Sequence, residues 1–103
     1  MFVRIWEFHS REDKDDEFRA AYGPDGVWAV LFRRAAGYLG TELLVSAGDA
    51  RRYITIDRWA SAGAWQAFLR ECPDDYATLD RACASLTLHE KNLGEFDEFK
   101  GDR

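Results

Sequence analysis

The chain has 103 residues, a net charge of -5 at pH 7, and hydrophobic and aromatic fractions of 47% and 15%. That length suits one domain and is too short for two. The acidic balance and the scattered Arg33–Arg34 and Arg51–Arg52 pairs give no basic face for nucleic acid.

No apolar run approaches the ~20 residues of a membrane span. The opening MFVRIWEFHS carries charges where a signal peptide needs its apolar stretch. A cytoplasmic protein with no membrane partner is expected. Cys72 and Cys83 form no Cys-x-x-Cys pair and read as buried, reduced thiols.

Phe2 to His9 alternates as a strand, with Phe2, Arg4, Trp6 and Phe8 on one face and Val3, Ile5, Glu7 and His9 on the other. Both faces are substantially apolar, so both need covering. One helix layer covers one face. A second copy of the protein is the cheapest cover for the other, with Trp6 among the residues expected there.

The charged turn Ser10–Asp16 supplies negative charge to a helix start. That helix carries Phe18, Ala21 and Tyr22 inward. Gly23-Pro24-Asp25-Gly26 interrupts it, and a second helical piece is expected to begin near Pro24. Its inward stripe is Trp28, Leu31, Phe32 and Ala35, and Gly37 stops it.

Tyr38–Val45 and Arg51–Trp59 read as strands joined by a turn-rich loop, which predicts an antiparallel hairpin. Ser61 can cap a helix over Ala62–Cys72. Pro73 opens a further helical piece carrying Tyr76, Leu79, Cys83 and Leu86. Leu86–Leu93 is the fourth strand. The stretch GEFDEFKGDR after it is expected to be frayed or draped over a partner. The domain is set at residues 1–96, with 97–103 as an acidic tail.

Strand, helix, strand, strand, helix, strand is the order of the ferredoxin-like α+β fold, βαββαβ with one antiparallel sheet. Tyr53 to Cys72 organises it. Tyr53, Thr55, Asp57 and Trp59 share one side of a strand, and Trp65, Phe68, Leu69 and Cys72 share one face of the following helix. Two indoles and a phenyl ring converge there beside Asp57 and Arg58. They are either the thick end of a core or the wall of a pocket for a flat aromatic molecule. His89 with Glu90 lacks the three or four convergent ligands zinc needs, so no metal site is expected.

From Phe2 to Phe96 the chain resembles the antibiotic biosynthesis monooxygenase superfamily of dimeric α+β barrels. The carriers are the element order, the junction IDRWASAGAWQAF, the segment AYGPDGVWAVLFRRAAGYLGTELL and the closing LDRACASLTLHEKNLGEF. The resemblance implies a homodimer with face-to-face sheets and a pocket between each sheet and its helices. It implies, in some members, oxidation of polycyclic hydroquinones by molecular oxygen without a cofactor. The haem-degrading branch uses an asparagine in the first strand and a histidine on the second helical region. This chain departs from both, because its only asparagine is Asn92 and its histidines, His9 and His89, read as strand residues.

The leading reading is therefore a cofactor-independent monooxygenase acting on an aromatic, quinol- or polyketide-type small molecule. His9 or Asp57 would accept the proton. Tyr22, Trp28, Tyr53, Trp59, Trp65 and Phe68 would bind the ring. The bland counterparts are a surface histidine, an Asp57 salt bridge to Arg4 or Arg58, and rings that are plain core. A non-catalytic small-molecule-binding or structural dimer is the other functional reading. A cavity above ~300 Å3 supports a ligand site; one plugged by Trp28 and Trp65 supports the structural dimer.

Overall fold

A computed structural model describes residues 1–101. The elements run β1 (Phe2–Ser10), α1 (Asp15–Tyr22), α2 (Val27–Phe32), β2 (Tyr38–Val45), β3 (Arg52–Trp59), α3 (Ala62–Glu71), α4 (Pro73–Cys83) and β4 (Thr87–Asp97). All strand pairs are antiparallel, in the order β2-β3-β1-β4. This is the expected ferredoxin-like α+β fold.

Local signals explain most boundaries. The Ser61 hydroxyl accepts from the Ala64 N–H at 3.1 Å and caps α3. Pro73 starts α4, where a missing N–H costs nothing. The second helical piece starts later than expected. Pro24 sits instead in a turn closed by the Gly26 N–H donating to the Gly23 carbonyl at 2.9 Å. A Cβ at Gly26 would lie 2.6 Å from the Ala21 carbonyl oxygen, so the turn needs glycine.

The β1–β3 register places Phe2 opposite Trp59, Arg4 opposite Asp57, Trp6 opposite Thr55 and Phe8 opposite Tyr53. Phe2, Phe8, Tyr53 and Trp59 are buried beneath the helices. Trp6 shares that face and stacks on Phe8, with ring centroids 6.2 Å apart. Its expected place on the open face is therefore corrected: strand parity ties it to Arg4 and Phe8. Trp59 is fully buried and touches the rings of Phe32, Tyr38, Trp65 and Phe68, all within 5.6 Å between centroids.

The opposite face carries Val3, Ile5, Ile54 and Ile56, all half-buried, with exposed Leu44 and Phe96 in line. The ion pairs Arg52–Glu7 and Arg58–Glu42 border it.

β4 is longer than expected. Gly94–Asp97, read from sequence as the start of a frayed or draped stretch, pairs with β1, and Phe2 faces Asp97. Residues 102 and 103 of the expected tail lie outside the described residues.

Phe68 is 1% exposed within the aromatic cluster. Phe68→Ala should cost about 3–5 kcal/mol of stability in urea unfolding. A loss below about 1 kcal/mol would mean the cluster collapses readily around the gap.

Candidate functional site

The same register that buries the core brings Arg4, Trp6 and Phe8 of β1 beside Thr55 and Asp57 of β3 on the helix-covered face. β2 adds Thr41 through an irregularity. The β2–β3 register shifts between Tyr38 and Gly40, and Gly40 takes a φ of 141°. The extra residue puts Tyr38 and Thr41 on one face although they are three apart.

Tyr22 at the end of α1, Trp28 and Phe32 of α2, and Tyr76 of α4 close the space above. The result is a cavity of about 60 Å3 with aromatic walls. It has room for a few waters and lies below the ~300 Å3 of an open ligand site.

Asp57 is the polar centre of this cavity. The Thr41 hydroxyl donates to Asp57 Oδ1 at 2.6 Å, and Tyr38 Oη lies 2.6 Å from Thr41 Oγ1. With the Thr41 hydrogen committed to Asp57, Tyr38 is the donor to Thr41. Burial pushes the Asp57 carboxyl above the usual range, while the Thr41 hydrogen bond and the charge of Arg4 pull it down.

Arg4 is 8% exposed. Its Nε donates to Glu95 Oε2 at 2.9 Å, and its guanidinium carbon lies 3.9 Å from the centroid of the Trp65 ring. Asp80 and Glu90 form an acidic end to the cavity. Burial and the neighbouring Asp80 raise the Glu90 carboxyl.

Of the residues singled out from sequence, Asp57, Tyr22 and Trp28 line the cavity. His9 does not. It sits on the opposite sheet face, opposite Arg52, with Nε2 3.6 Å from Asp49 Oδ2. Parity forces this, because His9 is an odd residue on a strand whose even residues face the helices.

Tyr53 faces the helices, but its hydroxyl is engaged elsewhere: it donates to Asp15 Oδ1 and accepts from Arg19 Nε, both at 2.7 Å. Trp59, Trp65 and Phe68 are core, outside the cavity lining.

Arg4, Trp6, Thr41, Tyr76, Asp80 and Glu90 line the cavity without having been singled out as site residues. A glycine inside a strand is a bulge signal, and Gly40 could have pointed to Thr41. Among the described residues, no cluster of three or more His, Cys, Asp or Glu is placed to hold a metal ion. Among them, no helix is long and apolar enough to cross a membrane.

A family model described as antibiotic biosynthesis monooxygenase matches residues 1–72. SnoaB from Streptomyces nogalater, described as a cofactor-independent oxygenase, is similar in structure in a mutant form. Its TM-score is 0.79 at 18% identity, covering 97% of this chain and 94% of that one. A provisionally described antibiotic biosynthesis monooxygenase from Deinococcus radiodurans has a TM-score of 0.78 at 12% identity, covering 100% and 97%. One from Nitrosomonas europaea has 0.68 at 18%, covering 95% and 98%. No curated protein matches by sequence. At these identities the structural likeness carries the fold.

A carboxyl whose pKa is raised on folding stabilises the fold below its unfolded pKa, and that contribution is lost as pH rises through the folded value. Asp57→Asn keeps an acceptor for Thr41 and removes the charge. It should raise the melting temperature near neutral pH, with the gain shrinking in acid. A lower melting temperature at neutral pH would show that the charged carboxylate is stabilised there.

Proposed function

The chain belongs to the antibiotic biosynthesis monooxygenase family, and on that premise we propose that it is a cofactor-independent oxygenase for a small aromatic molecule of quinol type. The observation that carries the proposal is Asp57: a buried carboxylate inside an aromatic cavity, with Thr41 on Oδ1 and no ion pair among the described residues. Such a group can take the proton of a phenolic hydroxyl. An electron-rich phenolate then reacts with oxygen, and the walls keep water from the intermediate. For a ring carbon bearing two hydrogens, CH2 + O2 → C=O + H2O balances with both electron pairs drawn from the substrate. The similarity to SnoaB, described as a cofactor-independent oxygenase, supports this reading.

Trp28, Tyr22 and Tyr76 clamp the ring in this reading. The Trp28 and Tyr76 rings meet edge to face at 5.2 Å between centroids and close one side of the cavity. A ring of any size displaces one of them, because the closed cavity is about 60 Å3. That small volume also favours a second reading, a non-catalytic dimer whose pocket is filled by its own side chains. His9 has no part in proton removal in either reading.

The proposal includes a cytoplasmic homodimer. Its interface is the open sheet face of Val3, Ile5, Ile54 and Ile56, a continuous apolar stripe. Ile56→Asp should yield monomer or aggregate by light scattering. An unchanged dimer mass would move the interface elsewhere.

Oxygen uptake by the purified protein, with a panel of mono- and polycyclic hydroquinones and corrected for spontaneous oxidation, tests the activity. Saturating uptake should fall at least about a hundredfold in Asp57→Asn, the scale of a lost general base, and stay unchanged in His9→Ala. Uptake that survives Asp57→Asn would remove Asp57 from the reaction. No uptake from any compound would favour the filled-pocket dimer.

A further inference from the structure

Arg4 stands in one row of the sheet between two carboxylates. Its partner across β3 is Asp57 and its partner across β4 is Glu95. Glu95 reaches the helix-covered face because the β1–β4 register shifts between Ile5 and Trp6. That shift puts Glu90, opposite Phe8, and Glu95, opposite Arg4, on the same side despite their opposite parity. Arg4 takes Glu95, at 2.9 Å, and lies over the Trp65 ring. Among the described residues, no ion pair within 4.0 Å joins Arg4 to Asp57.

We propose that Glu95 is a positioning residue which, with Trp65, holds Arg4 off Asp57, and that the separated pair is a subsite for a neutral, weakly acidic hydroxyl. The inference rests on the reading of Asp57 as the base. The physical argument is one of competing partners. Glu95 has a 41% exposed side chain and keeps much of its hydration while paired. Pairing with the buried Asp57 would desolvate both charges. The stack on Trp65 adds a cation–π attraction that fixes the guanidinium plane.

The separation has a chemical consequence. Were Arg4 paired with Asp57, the carboxylate would be a poor base. Held apart, the two charges face the cavity from adjacent strands. A ligand hydroxyl breaks its O–H bond, a new O–H bond forms at Asp57, and the electron pair stays on the ligand oxygen within reach of Arg4's field. Negative charge moves from Asp57 to the ligand and the net charge of the cavity is unchanged. A carboxylate ligand instead places a second negative charge beside Asp57.

The polar groups facing Asp57 are Arg4 from β1, Thr41 and behind it Tyr38 from β2, and Tyr76 from α4. The other nearby cavity wall is Phe32 of α2, which does not ionise. Glu95 acts on Asp57 through Arg4.

Carboxyl-carbon NMR titration of Asp57 in ligand-free protein tests the positioning. Glu95→Gln should lower the Asp57 midpoint, because Arg4 is released to pair with it. The fall should vanish in the Arg4→Met background, where no guanidinium is left to move. An unchanged midpoint in Glu95→Gln, or an equal fall in both backgrounds, overturns the positioning role.

Calorimetry with 4-nitrophenol and 4-nitrobenzoate tests the subsite. The phenol should bind at least about tenfold tighter, about 1.4 kcal/mol, and Glu95→Gln should lose that preference. Equal or tighter binding of the benzoate, or no binding of the phenol, overturns the hydroxyl subsite. Neither measurement uses oxygen or turnover. A protein that consumes no oxygen can pass both, and an active one can fail both.

Discussion

The pairing of β1 with β3 decides which side chains meet under the helices. Phe2, Phe8, Tyr53 and Trp59 enter the core from the same row pattern that brings Arg4 and Asp57 together. A slip of one residue would send Val3, Ile5, Ile54 and Ile56 inward and expel the aromatic set. Bulk selects the observed register. Aromatic side chains each bury far more apolar surface than the aliphatic set, and the helices supply matching rings from Phe18, Tyr22, Phe32, Trp65 and Phe68.

That choice has an electrostatic cost. Asp57 rides on the buried face with only Thr41 as a hydrogen-bond donor, so its charge is less well solvated than in water. The chain tolerates this because the same face is heavily stabilised by rings. A stability surplus in the aromatic cluster offsets one poorly solvated carboxylate, as is common where a group is kept reactive. Arg4 shows the same division. Its charge is satisfied at the sheet edge by Glu95 and its plane by Trp65.

Two register shifts then tailor the site. The shift at Tyr38–Gly40 lets β2 offer Tyr38 and Thr41 together, which builds the relay of hydroxyls onto Asp57. The shift in β4 turns Glu90 and Glu95 to the same side, one at the acidic end of the cavity and one on Arg4. Gly94, with a φ of 133°, accommodates the second, and a Cβ there would press on the Phe96 ring. Away from these shifts the sheet follows simple alternation.

Element order, helix faces and the α+β fold were legible in the chain itself, because they rest on local periodicity, caps and turn residues. Trp28, Leu31 and Phe32 are buried at the spacing that predicts it, and Ser61 caps where expected. Asp57, Tyr22 and Trp28 could be picked as candidates from residue type alone. Which face of each strand met the helices was not legible. Alternation gives two sets of side chains but not their direction, so His9 and Trp6 were placed on the wrong sides. Only the packed sheet decided that, by burying the bulkier set. The pairings of Arg4 with Glu95 and of Thr41 with Asp57 were also tertiary decisions, since each depends on a register between strands far apart in sequence and on a bulge that breaks the period of two.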